Sequence, residues 1–366
     1  MLTLGDPAPW FSCNDGKASF DLSLAPGPYL VLCFYGSTSI KKNLHFLQQV
    51  GPQLKNYFDG TRIAFLGVGI DPMDAQLTQL NSDQPGVRFL WDFDQRLSTL
   101  YGAVASSVTP GIGGVSYRSF TVILDPLLRV ITCLPLQDEQ HAQVLEAQLK
   151  QLPALDAYAG IAMHPPVLIL PRVFEPEFCQ QLIEVHQKNA GYESGFMAER
   201  GGQVIEIKDD KVKRRRDFAI TVEEEEAYSD LRQMISGRIQ RRLLPEIYKA
   251  FQFKVTRMER FLIGCYDSEN QGFFRAHRDN FDPVTAHRRF ACTINLNAEK
   301  HTGGALRFPE FGPKTYHVPT GAAIVFSCSL LHEALPVTEG QRFAFLPFFF
   351  DEVAAQTQKQ QNMQTR

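Results

Sequence analysis

Phe273-Phe274-Arg275-Ala276-His277-Arg278-Asp279-Asn280 and, further on, Leu330-Leu331-His332-Glu333-Ala334-Leu335-Pro336-Val337-Thr338-Glu339-Gly340-Gln341-Arg342 are the stretches whose reading decides the fold of this chain. His277 and Asp279 stand two apart, so on a strand both project to the same face. Two imidazoles and one carboxylate can bind one face of an octahedral Fe(II) and leave three positions open. Such an open face suits oxygen activation, because substrate-side ligands must also reach the metal. Arg342 adds a planar fork able to hold a carboxylate through two bonds. A His-x-Asp pair can also be no more than a hydrogen-bonded pair on a strand, so the surrounding sequence has to decide.

The flanking segments read as strands. Arg289-Phe-Ala-Cys-Thr-Ile-Asn-Leu-Asn297 alternates and is rich in strand formers. Thr302-Gly303-Gly304-Ala305-Leu306-Arg307-Phe308-Pro309 is a glycine turn leading into another strand. Gly321 to Ser327 has the continuous apolar character of a buried strand and delivers His332 just past its end. Arg342 to Phe350 is read as a final apolar strand with the arginine at its start. Strand after strand carries one polar group into an apolar interior, the layout of a ligand-holding antiparallel barrel or jelly roll.

From about His164 to Phe350 the sequence resembles the prolyl-4-hydroxylase-like branch of the Fe(II)/2-oxoglutarate dioxygenases, through His277-Arg278-Asp279, Gly303-Gly304, His332 and Arg342. The resemblance implies that His277, Asp279 and His332 are catalytic and hold iron. It implies that 2-oxoglutarate chelates the metal while Arg342 pairs with its distal carboxylate, and that O2 is the second cosubstrate. Tyr266 stands where the family often has a tyrosine that hydrogen-bonds the cosubstrate. Asn295 stands where relatives of the hypoxia-sensor pattern have a tyrosine, a departure at a cosubstrate-binding position. The implied fold is a double-stranded β-helix with supporting helices, and the implied reaction is hydroxylation of a C–H bond, with succinate and CO2 as co-products. A prolyl residue of a protein or peptide is the expected substrate. A free amino acid or small metabolite is the alternative, and a non-catalytic sensor or scaffold is a second one.

The chain of 366 residues leads to an expectation of two domains. Its 44% hydrophobic content suffices for ordinary cores, and a net charge of −3 gives no reason to expect nucleic-acid binding. The 28 phenylalanines gather in the apolar strands of the C-terminal half. Cys13, Cys33, Cys133, Cys179, Cys265, Cys292 and Cys328 are an odd set without a Cys-x-x-Cys, which reads as reduced, buried thiols. No signal peptide and no membrane span are expected, and a cytoplasmic location follows as the default.

Residues 1–152 alternate strand and helix patterns. Strands are read at Tyr29–Tyr35, Arg62–Ile70 and Val87–Asp92, followed by a hairpin from Arg118 to Leu134 and a helix from Gln140 to Leu152. Helical patterns are also read after Asn43 and from Asp74 to Asn81. The order describes a small α/β sandwich. Gly5-Asp-Pro-Ala-Pro9, Val31-Leu-Cys-Phe-Tyr35 and Thr121-Val-Ile-Leu-Asp-Pro126 make this half similar to a peroxiredoxin of the thioredoxin fold. The catalytic loop departs from that family: Gly36, Ile40 and Asn43 stand where Pro, Thr and the peroxidatic Cys are expected, and Arg118 lies one residue away from the family's arginine position. Thiolate chemistry needs that cysteine, so a degenerate redoxin domain serving binding, docking or dimerisation is expected, and peroxiredoxin-like domains often form homodimers.

Residues 153–166 read as a linker, 167–352 as the oxygenase domain and 353–366 as a polar tail. Phe174 to Asn189 and Thr221 to Phe251 read as helices, the latter with Leu231, Met234, Ile235, Ile239, Leu243 and Ile247 inward. His287, His301 and His317 are assigned to the surface or core edge. The charged run from Gly201 to Asp217 reads either as a solvated hairpin loop or, by the family resemblance, as a cover over the substrate that uses Lys213, Arg215, Arg216 and Asp217.

Overall fold

The computed structural model describes residues 2–50, 53–77, 85–104, 116–137, 139–200, 203–220 and 226–356. The chain divides into two compact units, Met1–His164 with Pro309–Pro313, and Pro165–Phe308 with Lys314–Arg366. No helix among the described residues is long and apolar enough to cross a membrane.

The first unit is built on Tyr29–Gly36, whose eight residues are all buried. Because successive side chains point to opposite faces, Tyr29, Val31, Cys33 and Tyr35 join one core with Phe46, Phe65 and Leu145. Leu30, Leu32 and Phe34 join the other with Leu97, Tyr101 and Phe120. A strand with no polar face has to lie in the middle of a covered sheet. The strand order is Val87–Trp91, Ile63–Gly69, Tyr29–Gly36, Phe120–Leu124, Val130–Pro135. The first three run parallel and the last two pair antiparallel. Helices Lys41–Val50 and His141–Gln151 bury Phe46, Leu47, Leu145 and Leu149. This is a thioredoxin-like α/β sandwich. Only a single 3-10 turn, Asp74–Gln76, stands at the start of the helix expected to Asn81, and residues 78–84 lie outside those described. Cys13 and Cys133 are partly exposed rather than buried.

The second unit is a jelly roll of two antiparallel sheets. The larger runs Arg257–Glu259, Phe348–Phe350, Phe290–Asn295, Val337–Phe345, Leu262–Asp267, Arg216–Ala219, Tyr192–Glu193. The smaller runs Lys213–Arg214, Phe273–His277, His332–Ala334, Leu306–Arg307, Thr315–Tyr316. A core containing Phe343, Phe345, Phe349, Ile294 and Val325 packs the larger sheet against helix Pro176–Lys188 and the helices behind it.

Several expected elements differ in detail. Arg342 does not begin a strand: Val337–Phe345 starts five residues earlier, on an exposed polar stretch that pairs with its neighbours through the backbone. Pro347 then separates it from Phe348–Phe350, since proline cannot donate to the ladder. The helix expected over Thr221–Phe251 is two helices, Ser229–Arg242 and Leu244–Phe251. Pro245 sits in the first turn of the second, the position where a helix tolerates it. Met234 faces outward, and residues 221–225 lie outside the described part. Residues 352–356 are helical and bury Ala354 and Ala355 against Phe350, and residues 357–366 of the expected tail lie outside those described.

His287 belongs to the interior, not the surface. It is 2% exposed and bonds Glu259 at 2.7 Å, while Arg288 Nε donates to the same carboxylate at 3.0 Å. Burial alone would raise the Glu259 carboxyl, but these bonds and the Arg288 charge outweigh it and hold it at about 2.

Two outcomes are expected. Phe345→Ala, at a fully buried position, should cost about 3–5 kcal/mol in the chemical unfolding transition of the second unit. Glu259→Gln should be less stable than the parent at neutral pH. Because the folded-state value lies below the 4.5 of an ordinary glutamate, this stabilisation is full above that pH and is lost as pH falls towards about 2. The gap between the two unfolding curves should therefore close on acidification, and a pH-independent gap would show that the charge is not responsible.

Candidate metal and carboxylate site

The smaller sheet sets His277 directly opposite His332 in its register, with ring centres 4.3 Å apart. His277 ends one strand and His332 begins its neighbour. Asp279 lies beyond the strand end, in a turn, so it reaches the imidazoles through the bend of the chain rather than by strand alternation. That turn is tied down at several points. The Asp279 amide donates to Cys328 O at 3.0 Å, Arg278 donates to Ser329 O, and Asn280 Nδ2 donates to Ser329 Oγ at 2.8 Å. Arg288 Nη1 donates to Asp279 O at 3.5 Å, which links the turn to Glu259.

The histidine tautomers follow from the backbone. His277 Nδ1 lies 2.7 Å from Arg275 O and His332 Nδ1 lies 3.0 Å from Leu330 O. A carbonyl can only accept, so each ring carries its proton on Nδ1 and presents the Nε2 lone pair. Those Nε2 atoms lie 3.4 and 3.3 Å from the two oxygens of Asp279. The three donor atoms fall within 4.8 Å of one another. Burial brings His332 down to about 4, which keeps it neutral at ordinary pH. Burial would raise Asp279, but the charge that His332 and His277 carry when protonated, a bond from His277 and the Arg288 charge hold it well below the usual carboxylate range. A divalent cation requires neutral imidazoles and an ionised carboxylate, and here both Nε2 atoms face the Asp279 oxygens. The donor set fits Fe(II), with nitrogen and oxygen ligands and one open side. Phe274 stacks on His277 at 3.6 Å and Phe326 meets His332 edge-on at 4.6 Å, so apolar rings confine both ligands.

Arg342 lies on the larger sheet, opposite Tyr266. It is 3% exposed. Among the described residues its Nη2 donates to two neutral oxygens, Thr293 Oγ1 and Asn295 Oδ1, each at 3.3 Å, and its Nε has no partner. Asn295 is itself oriented by donating to Val318 O at 2.8 Å. The Tyr266 ring centre lies 5.1 Å from the guanidinium. Gly304 makes room for this side chain: its φ is +68°, and a Cβ there would stand 2.8 Å from Arg342 Cδ. A buried guanidinium without a carboxylate is costly unless an anion joins it.

The residues assigned to a mobile cover are placed otherwise. Lys213 and Asp217 are buried on strands, and Arg215 is buried at the break between Lys213–Arg214 and Arg216–Ala219. Arg215 grips Asp217 through two bonds of 2.5 and 2.7 Å, and Lys213 donates to Gly195 O at 2.6 Å. Burial, helped by the Arg215 charge, pushes Lys213 down to about 6. Arg216 alone is exposed, and it binds Ala190 O and Gly191 O. A run of charges reads as solvated only if nothing pairs within it, and here the acid two residues on pairs with the arginine. Thr293, Glu259 and Arg288 escaped the sequence reading. Only the period-2 alternation that turns Thr293 and Asn295 to one face could have signalled the first.

Residues 261–350 match the family model of the 2OG-Fe(II) oxygenase superfamily. Two curated relatives described as PKHD-type hydroxylases, from Synechococcus sp. strains JA-2-3B'a(2-13) and JA-3-3Ab, are each 31% identical over 128 residues. These matches cover 31% of this chain and 56% of the relative, so the chain spans about half the length of the curated relatives it matches. Among solved structures, a Trichoplax adhaerens prolyl hydroxylase in complex with a hypoxia inducible factor peptide fragment aligns at TM-score 0.38 and 15% identity, over 58% of this chain and 94% of that one. Peroxidoxin BcpB from Mycobacterium tuberculosis aligns at TM-score 0.36 and 17% identity, over 42% of this chain and all of its own. By sequence, then, residues 261–350 are similar to the 2OG-Fe(II) oxygenase superfamily, and His277, Asp279, His332 and Arg342 all fall within the matched stretch.

Proposed function

We propose that the protein is an Fe(II)- and 2-oxoglutarate-dependent dioxygenase that hydroxylates a C–H bond, most readily of a prolyl residue in a protein or peptide, with succinate and CO2 as co-products. The observation that carries the reading is the buried Arg342, which has no acid paired to it among the described residues. In this reading His277, Asp279 and His332 hold the metal through Nε2, a carboxylate oxygen and Nε2. Fe(II), with 2-oxoglutarate and O2, supplies the oxidative chemistry.

The chain's own residues bind, orient and exclude water. The Nδ1 bonds to Arg275 O and Leu330 O fix the two imidazole planes before any ligand arrives. Arg342, Thr293 and Tyr266 form a polar end for the distal carboxylate of the cosubstrate, and an uncharged ligand would leave the guanidinium unpaired. Phe274, Phe308 and Phe326 keep the surroundings of the two imidazoles apolar, which strengthens each electrostatic contact inside. The first unit serves binding or docking in this reading, since Asn43 is buried there, donating to Tyr35 O at 2.6 Å and Ser37 O at 3.2 Å. The nearby Cys33 thiol is pushed up to about 12 by burial and supplies no thiolate.

Anaerobic titration should find one equivalent of Fe(II) bound by the parent chain. His277→Ala and Asp279→Ala should lose that uptake together with succinate formation. Arg342→Met should keep the metal but raise the 2-oxoglutarate needed for half-saturation by roughly 30-fold or more, the loss expected when one partner of a buried charge pair is removed. Mass spectrometry of proline-containing peptides for a gain of one oxygen addresses the substrate. Succinate formation that survives in His277→Ala would sink the metal assignment.

A further inference from the structure

The Tyr266 hydroxyl has an unusual set of neighbours. The side chain is 4% exposed, and two guanidinium groups approach its ring, Arg342 at 5.1 Å and Arg215 at 5.6 Å from its centre. Arg215 Nη1 donates to the hydroxyl oxygen at 3.2 Å. An arginine has no acceptor, so the oxygen must accept from Arg215 and the phenol proton must go elsewhere. Among the described residues the hydroxyl donates no hydrogen bond, and both charged neighbours of the ring are donors. A buried donor without a partner is costly, and the deficit lies beside Arg342, a buried guanidinium with no acid paired to it among the described residues.

The two arginines are not equivalent. Arg215 is neutralised by Asp217 through a two-bond clasp, and Lys213 Nζ stands a further 3.8 Å from that carboxylate. Arg342 has no such acid. One uncompensated guanidinium and one outward phenol proton together suit a single carboxylate. The clasp is built into the sheet: Arg215 precedes Arg216–Ala219, which pairs with Leu262–Asp267. Gly264 lies opposite Asp217 in that register. A Cβ on Gly264 would stand 2.9 Å from Arg215 Cδ and 3.1 Å from Asp217 Oδ1. The missing side chain therefore leaves the space in which the pair sits.

We propose that Arg215, held by Asp217, is a positioning residue for the cosubstrate: by occupying the oxygen of Tyr266 it commits the phenol proton to the carboxylate that Arg342 receives. The proposal rests on the reading that Arg342 takes the distal carboxylate of 2-oxoglutarate. It assigns Arg215 and Asp217 an indirect role, exerted through Tyr266 and not by contact with the ligand or the metal.

The test is equilibrium binding of 2-oxoglutarate to the full chain loaded with Mn(II), followed by calorimetry. Removing Arg215 alone would strand a buried carboxylate, so the pair is replaced together in Arg215→Met/Asp217→Leu, a change buried ion pairs often tolerate. Arg215→Lys, which keeps a charge beside Asp217 but loses the fork, is the second variant. Tyr266→Phe should weaken 2-oxoglutarate by roughly 10-fold, the size of a hydrogen bond to a charged group. Each Arg215 variant should weaken it by a similar factor, with Mn(II) affinity unchanged. Added to Tyr266→Phe, the paired replacement should produce no further loss, because it acts through a hydroxyl already gone. Unchanged binding in both Arg215 variants, or losses that multiply with Tyr266→Phe, would overturn the positioning role alone. If the parent chain takes up Mn(II) but no 2-oxoglutarate, the cosubstrate reading falls and this role with it.

Discussion

Charge taken out of water has to be neutralised, and the second unit is arranged around that constraint. Four of its buried arginines, Arg215, Arg278, Arg288 and Arg342, lie in or around the candidate site. Arg215 meets Asp217, Arg288 meets Glu259, and Arg278 meets a backbone carbonyl. Arg342 meets only a hydroxyl and an amide oxygen. Desolvation of an ion costs several kcal/mol, and this asymmetry among the described residues is what supports the proposal that a ligand's carboxylate joins Arg342.

The same constraint shapes the candidate metal-ligating cluster. Asp279 is held between two imidazoles whose outer nitrogens already bond backbone carbonyls. Its turn is fastened to the 328–329 segment by bonds from both its neighbours and its own amide. Donor atoms prepared in this way lose little freedom on taking up a cation. Glu259 extends the support outward: it joins His287 and Arg288, and Arg288 in turn reaches the Asp279 carbonyl. Positioning thus passes from the strand Arg257–Glu259 to the turn that carries a candidate ligand.

In the first unit an amide holds the loop after the central strand. Asn43 occupies the start of helix Lys41–Val50 and closes the preceding loop by donating to Tyr35 O and Ser37 O. An amide can make those bonds, but it cannot act as a nucleophile. Burial pushes the thiols of Cys13 and Cys33 up to about 11 and about 12. The sandwich therefore stands on its two apolar cores without requiring the chemistry that such a sheet can host.

What the residues alone made legible was whatever depends on type and spacing. Alternation marked the strand Phe290–Asn295, and continuous apolar runs marked Tyr29–Gly36 and Ala323–Ser327, because a strand covered on both faces has no polar side to alternate. The candidate ligands and Arg342 could be picked out because few residue types can bind a metal or a carboxylate. Only the tertiary structure decided what each polar group meets. Periodicity says that a face is buried, not what faces it. So Asp279 came to rest in a turn beyond its strand, Arg342 in mid-strand, and His287 in the interior against Glu259. Lys213, Arg215 and Asp217 look like a solvated charge run in sequence, yet the sheet encloses them, because Arg215 and Asp217 neutralise each other where Gly264 leaves them room.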